Sequence, residues 1–134
     1  MVFLIGTGLS TGCDKRPPQE VVAEAAGLSH GIDALRQASN PEKAERLGML
    51  RQLPCSEQTL CELKRECERA YAKHVAALEQ LEKIKTELRK GQEEGLDDEL
   101  DGARASLIEA EAETQSCVAL QTAAQAKYDL DKAR

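Results

Sequence analysis

From residue 56 onward, the positions that are mostly apolar recur at alternating steps of three and four. In a first segment they fall at Leu60, Leu63, Cys67, Ala70, His74, Ala77, Leu81, Ile84 and Leu88. In a second they fall at Leu96, Leu100, Ala103, Leu107, Ala110, Thr114, Cys117, Gln121, Ala124 and Tyr128. This spacing traces one narrow stripe along an α-helix, the seam of a coiled coil. Between the segments, KGQEEGLDD interrupts the pattern with Gly91 and Gly95 and reads as a turn. The pattern therefore predicts two long helices, 56–90 with Ser56 as its cap and 97–133, folded back as antiparallel neighbours.

Upstream the elements are shorter. Val21, Ala25, Leu28, Ile32 and Leu35 step by four, three, four and three, an amphipathic helix of about five turns opening after Pro18. Gly27 and Gly31 weaken it or let another helix approach closely. SNPEKAERLGMLRQLP, residues 39–54, predicts a further helix with Asn40 as cap, Pro41 at its first position and Pro54 as its stop. The expected fold class is all-α: a long antiparallel helical hairpin (coiled coil) braced by two shorter N-terminal helices. The hairpin would reach about 50 Å at 1.5 Å per residue. The short helices cover only its base, so its acidic tip should project.

Folding the seams on each other from the turn pairs Leu88 with Leu96, Ile84 with Leu100, Leu81 with Ala103, Ala77 with Leu107 and His74 with Ala110. Two layers later Cys67 meets Cys117. Large residues face small ones in the three layers from Leu81 with Ala103 to His74 with Ala110, which permits close packing. The register thus selects a Cys67–Cys117 disulfide and leaves Cys55 with Cys61. The competing connectivity is Cys61–Cys117 with Cys55–Cys67. A zinc site would typically need Cys-x-x-Cys pairs, and the cysteines here are separated by five residues twice and then by a long gap.

Composition narrows the field further. Aromatic residues make up 2% of the 134, and there is no Trp. Ala, Leu, Glu, Lys, Gln and Arg dominate, which suits thin helical seams rather than a thick globular core. The net charge is −6 with acids and bases interleaved, so no basic stripe and almost no rings are available for nucleic acid. No stretch approaches the roughly 18 apolar residues of a spanning helix.

The opening stretch VFLIGTGLSTGCDKRPP allows two readings. As a dinucleotide loop its third glycine, Gly12, falls one place late, and Pro17 and Pro18 hinder a helix there. As an export signal it has an apolar run, Val2 to Leu9, then small Ser10, Thr11 and Gly12, then Cys13. This second pattern resembles the lipobox of bacterial lipoproteins. Two features depart from it: Ser10 stands where that family prefers Leu, and no basic residue precedes Cys13, which a start upstream of Met1 would supply. The resemblance implies a signal peptide at 1–12 and lipidation of Cys13 through a thioether diacylglycerol and an N-acyl chain such as palmitate. A flexible tether over 13–20 and a helical domain over 21–134 would follow. Asp14 after the cysteine implies, in that family, retention at the inner membrane. The body resembles small helical lipoproteins of Gram-negative bacteria.

Behind an export signal, four further cysteines imply two disulfides. Little else suggests chemistry. His74 lies on the seam, where a histidine more often packs than ligates. His30 sits between Ser29 and Gly31, without an obvious partner. Glu93, Glu94, Asp97 and Asp98 form a solvated acidic tip. The expectation is a non-enzymatic, membrane-anchored, periplasm-facing component of the cell envelope, structural or adaptor in role, binding a protein partner, with no cofactor and no metal. Open flanks would let two copies form a homo-oligomer as a four-helix bundle. The alternatives are an inhibitor or binding module for an envelope enzyme or complex, and a cytosolic helical protein with reduced thiols.

Overall fold

The structure, a computed structural model, describes residues 17–130. Four α-helices make up the described chain: α1 (Gln19–Gln37), α2 (Lys43–Gln52), α3 (Gln58–Arg89) and α4 (Leu96–Lys127), with a 3-10 turn at Asn40–Glu42. The fold is all-α, with α3 and α4 packed as a long hairpin and the two shorter helices at its base. The expected signal peptide at 1–12, the lipidation candidate Cys13 and residues 14–16 of the expected tether lie outside the described residues.

Local sequence explains each boundary. Pro18 precedes α1, and the amides of Val21 and Val22 both donate to its carbonyl, 3.0 and 3.1 Å away. Pro41 occupies the first turn of the 3-10 segment, which runs directly into α2, so Ser39 rather than Asn40 flanks the helical start. Pro54 follows the end of α2, where the Leu53 amide donates to the Leu50 carbonyl. The expected cap at Ser56 is corrected: Glu57 caps α3, its carboxylate accepting from the Thr59 amide at 3.3 Å. Ser56 instead donates its hydroxyl to Glu24 of α1. The fourth helix stops at Lys127 rather than 133, because Asp129 takes a left-handed conformation (φ 54°) that cannot continue it.

At the bend, Gly91 has φ 81° and closes α3 as a Schellman motif. The Gln92 amide donates to Glu87 and the Gly91 amide to Leu88. Gly95, φ 79°, opens α4. Both positions require the left-handed region that glycine enters without steric cost.

The predicted seam is the interface between α3 and α4. Cys67, Ala70, Ala77, Ile84, Ala103, Ala110 and Cys117 are all at most 2% exposed. His74, Leu81, Leu100, Leu107 and Thr114 are half-buried along the seam, and Leu88 is the most open seam residue at 48% exposed. It forms the last layer before the bend, and no further turn of either helix covers its outer side.

The body of the core lies at the other end. Leu28, Ile32 and Leu35 of α1 and Leu47 and Leu50 of α2 join Leu60, Leu63, Cys67 and Tyr71 of α3 and Cys117, Ala124 and Tyr128 of α4 in one cluster. Fully burying each large aliphatic side chain there contributes about 1.5–3 kcal/mol. Gly31 permits the closest approach: a Cβ on it would lie 2.8 Å from Leu53 Cδ1.

Candidate functional site

Two cysteine pairs and one polar junction tie the four helices together. Cys67 and Cys117 are joined across the seam, sulfur to sulfur 2.01 Å and Cα to Cα 4.9 Å. Cys55 and Cys61 are joined at the α2–α3 corner, with Cα atoms 5.2 Å apart. The Cys67 pair is fully buried within the core cluster, while the Cys55 pair is half-buried at its edge.

The polar junction centres on Gln121, which the seam pattern places on α4 but gives no role. It is 3% exposed, and its amide nitrogen donates to the Ser29 carbonyl (3.2 Å), Ser29 Oγ (3.0 Å) and Asp33 Oδ1 (2.9 Å). Its oxygen accepts from Arg36, whose guanidinium also pairs with Asp33 at 3.0 Å. Gln125, one turn later, donates to Ser29 Oγ at 3.0 Å. A buried polar group that keeps its hydrogen bonds specifies register, so this junction fixes where α1 lies on α4.

Lys43 holds the other end of α1. Its side chain is buried, and Nζ donates to the carbonyls of Leu35 and Arg36, each at 3.0 Å. Both carbonyls lie in the last turn of α1, at a helix C-terminus, where a cation is favoured. Nζ also lies 6.0 Å from the Tyr71 ring centre. Burial, and then the nearby Arg36 guanidinium, lower the Lys43 pKa. Sequence reasoning missed both Lys43 and Tyr71. A flank signal existed for Tyr71, since positions 64, 71, 78 and 85 border the seam in heptad steps and include Tyr71 and Leu78. None existed for Lys43.

His74 is half-buried on the seam, its Nδ1 enclosed and without a hydrogen-bond partner. Burial lowers its pKa, Lys43 lowers it further, and Glu111 opposes them. On the flank away from α1, Lys73 bridges to Glu109 (3.1 Å) and Glu113 (2.9 Å), and these carboxylates raise its pKa.

Two surface clefts complete the picture. One, of about 470 Å³, lies between Asn40, Pro41 and Ala44 and the Val75, Leu78 and Leu81 stretch of α3. The other, of about 460 Å³, lies between α1 and α2 around Gly31, Met49 and Leu53. Among the described residues no three metal-ligating side chains converge, and no helix is long and apolar enough to cross a membrane. The arrangement can hold, orient and present a surface. No protein-family model, curated protein or solved structure matches the chain.

Proposed function

We propose that this protein is a lipid-anchored structural or adaptor component of the bacterial cell envelope, without catalytic activity, that presents its projecting hairpin to another protein. The observation that carries the reading is the complete pairing of the four cysteines that follow Cys13. Two bridges with no leftover thiol suit an oxidising compartment, and the Ser10–Cys13 stretch, similar to a lipobox, supplies the route there and an anchor. Two or three acyl chains on one cysteine give firm attachment where a single chain binds only marginally.

Mass spectrometry of the protein taken from its native membranes tests the anchor. The expected species begins at Cys13 with its acyl chains attached, and an unmodified chain retaining Met1 overturns the reading. Non-reducing peptide mapping tests the compartment independently, since free thiols at Cys55 and Cys61 in native material would favour a reducing home.

A second reading, a binding module acting on an envelope enzyme or complex, draws on the α1–α2 cleft. Met49 is 51% exposed beside it, on the side of the short helices turned away from the hairpin.

A further inference from the structure

The two bonded flanks of the hairpin orient its distal half. Ser29 of α1 is held by Gln121 and Gln125, so α1 lies on the flank of α4 that carries Gln125. Counting back in sevens, Val118 and Glu111 share that flank, and Ile108 lies one turn before Glu111 on the same side. Ile108 is 68% exposed, the most exposed large apolar side chain among the described residues. On α3 the same side carries Val75, Leu78 and Leu81, which line the cleft of about 470 Å³.

Knob and cleft stand at one height. The Cys67–Cys117 bridge fixes the register: nine residues up α3 from Cys67 is Ala76, and nine residues back along α4 from Cys117 is Ile108. Ile108 is therefore level with the Val75–Leu78 end of the cleft, but on the neighbouring helix. A twofold axis running parallel to the hairpin places α3 of one molecule over α4 of another and exchanges both features at once. Such an interface is self-complementary by symmetry.

The charges beyond the knob agree. By the same count Arg104 is level with Gln80, between Glu79 and Glu82, while Asp101 and Asp97 are level with Lys83 and Glu87, interleaving with Lys85 and Arg89. With α3 over a second copy's α4, Glu82 faces Arg104, and Lys85 and Arg89 face Asp101 and Asp97. Within one molecule Lys85 pairs with its neighbour Glu82, an exposed contact at 3.3 Å that is easily exchanged.

We infer that the distal face of the hairpin is a homodimer interface in which Ile108 of each copy enters the Val75–Leu78–Leu81 cleft of the other. The short helices occupy the same face at the base. The two hairpins therefore meet toward their tips and diverge toward their bases.

Sedimentation equilibrium on the full chain, with both bridges closed, tests this. The expected result is a monomer–dimer equilibrium. Ile108→Asp, at a site too exposed to disturb folding, should weaken it by about thirtyfold or more, as a central anchor residue does. Arg104→Glu should weaken it by about tenfold, and adding Glu82→Arg to Arg104→Glu should restore it, because the pair is exchanged across the interface. A chain that stays monomeric, one that forms a different oligomer, or a dimer indifferent to Ile108→Asp would each overturn the inference. None of these outcomes depends on the anchor at Cys13, so the envelope reading stands or falls separately.

Discussion

The base and the tip of this hairpin use the same seam but are stabilised differently. At the base, α1 and α2 cover α3 and α4, and the continuous buried cluster reaches up α3 only as far as Ala70 and Tyr71. The base also contains both bridges, the Gln121 junction and the Lys43 cap. Toward the tip, Ala77, Ile84, Ala103 and Ala110 are buried between two helices alone. Alanines facing leucines bring the two helices close without building a third layer. A two-helix seam can therefore keep its register far from the core, but it draws its stability from the braced end.

Several measurements would break or sharpen that contrast. The largest effect should come from removing the Cys67–Cys117 bridge: Cys67→Ala with Cys117→Ala is expected to cost about 4 kcal/mol by the chain-entropy relation for a 50-residue loop. Removing the Cys55–Cys61 bridge, which spans 6 residues, should cost about 2 kcal/mol by the same relation. Urea unfolding of the two variants measures both, and equal losses would contradict the loop-length ordering.

Side-chain truncation at the base falls between the two bridges. Leu63→Ala at the base should cost about 3 kcal/mol, and Ile84→Ala toward the tip clearly less, since a two-helix wall relaxes more readily around the gap. If the tip variant were the more damaging, the hairpin would not depend on its base.

Glycines give a contrast of sign. A methyl added at Gly102 would meet nothing within 4 Å, so Gly102→Ala should stabilise the chain by about 1 kcal/mol through helix propensity alone. Gly31→Ala should give no such gain, because the new methyl must displace Leu53. Thermal unfolding of the pair reads the difference.

The smallest effect is in pH. His74 binds its proton less readily in the folded chain than the ordinary 6.5 of the unfolded one. Its contribution to stability is therefore complete above that value and is lost as pH falls through 6.5 toward the lower folded value. Urea midpoints measured from about pH 7.5 down to about pH 5 should decline, and His74→Gln should flatten the decline.

These contrasts also show what the sequence made legible. The three-four periodicity marked the seam residue by residue, and the turn glycines fixed a register that put Cys67 opposite Cys117. Those features are local or follow from helix geometry, so a linear pattern carries them. The seam also included Gln121, but its bonds to Ser29 and Asp33 depend on where α1 crosses α4, and no spacing rule encodes that crossing. Lys43 was hidden for the same reason, since a lysine near a helix start looks solvated until a second helix ends against it. Ser56 looked like the cap because it has the preferred side chain, but its hydroxyl was drawn to Glu24 and the next residue took over. Leu88 followed the pattern and yet stands half open, because periodicity does not register that the layers run out at the bend.

The cross-link between α3 and α4 has a consequence for handling by proteases. It closes residues 67 to 117 into a covalent ring that contains the whole outer part of the rod, including the exposed Gly91–Gly95 bend. A single cut anywhere within that ring opens it without shedding a fragment, and both halves stay fastened where they leave the core. The far end can therefore be nicked, or accept an inserted segment, while the molecule remains in one piece.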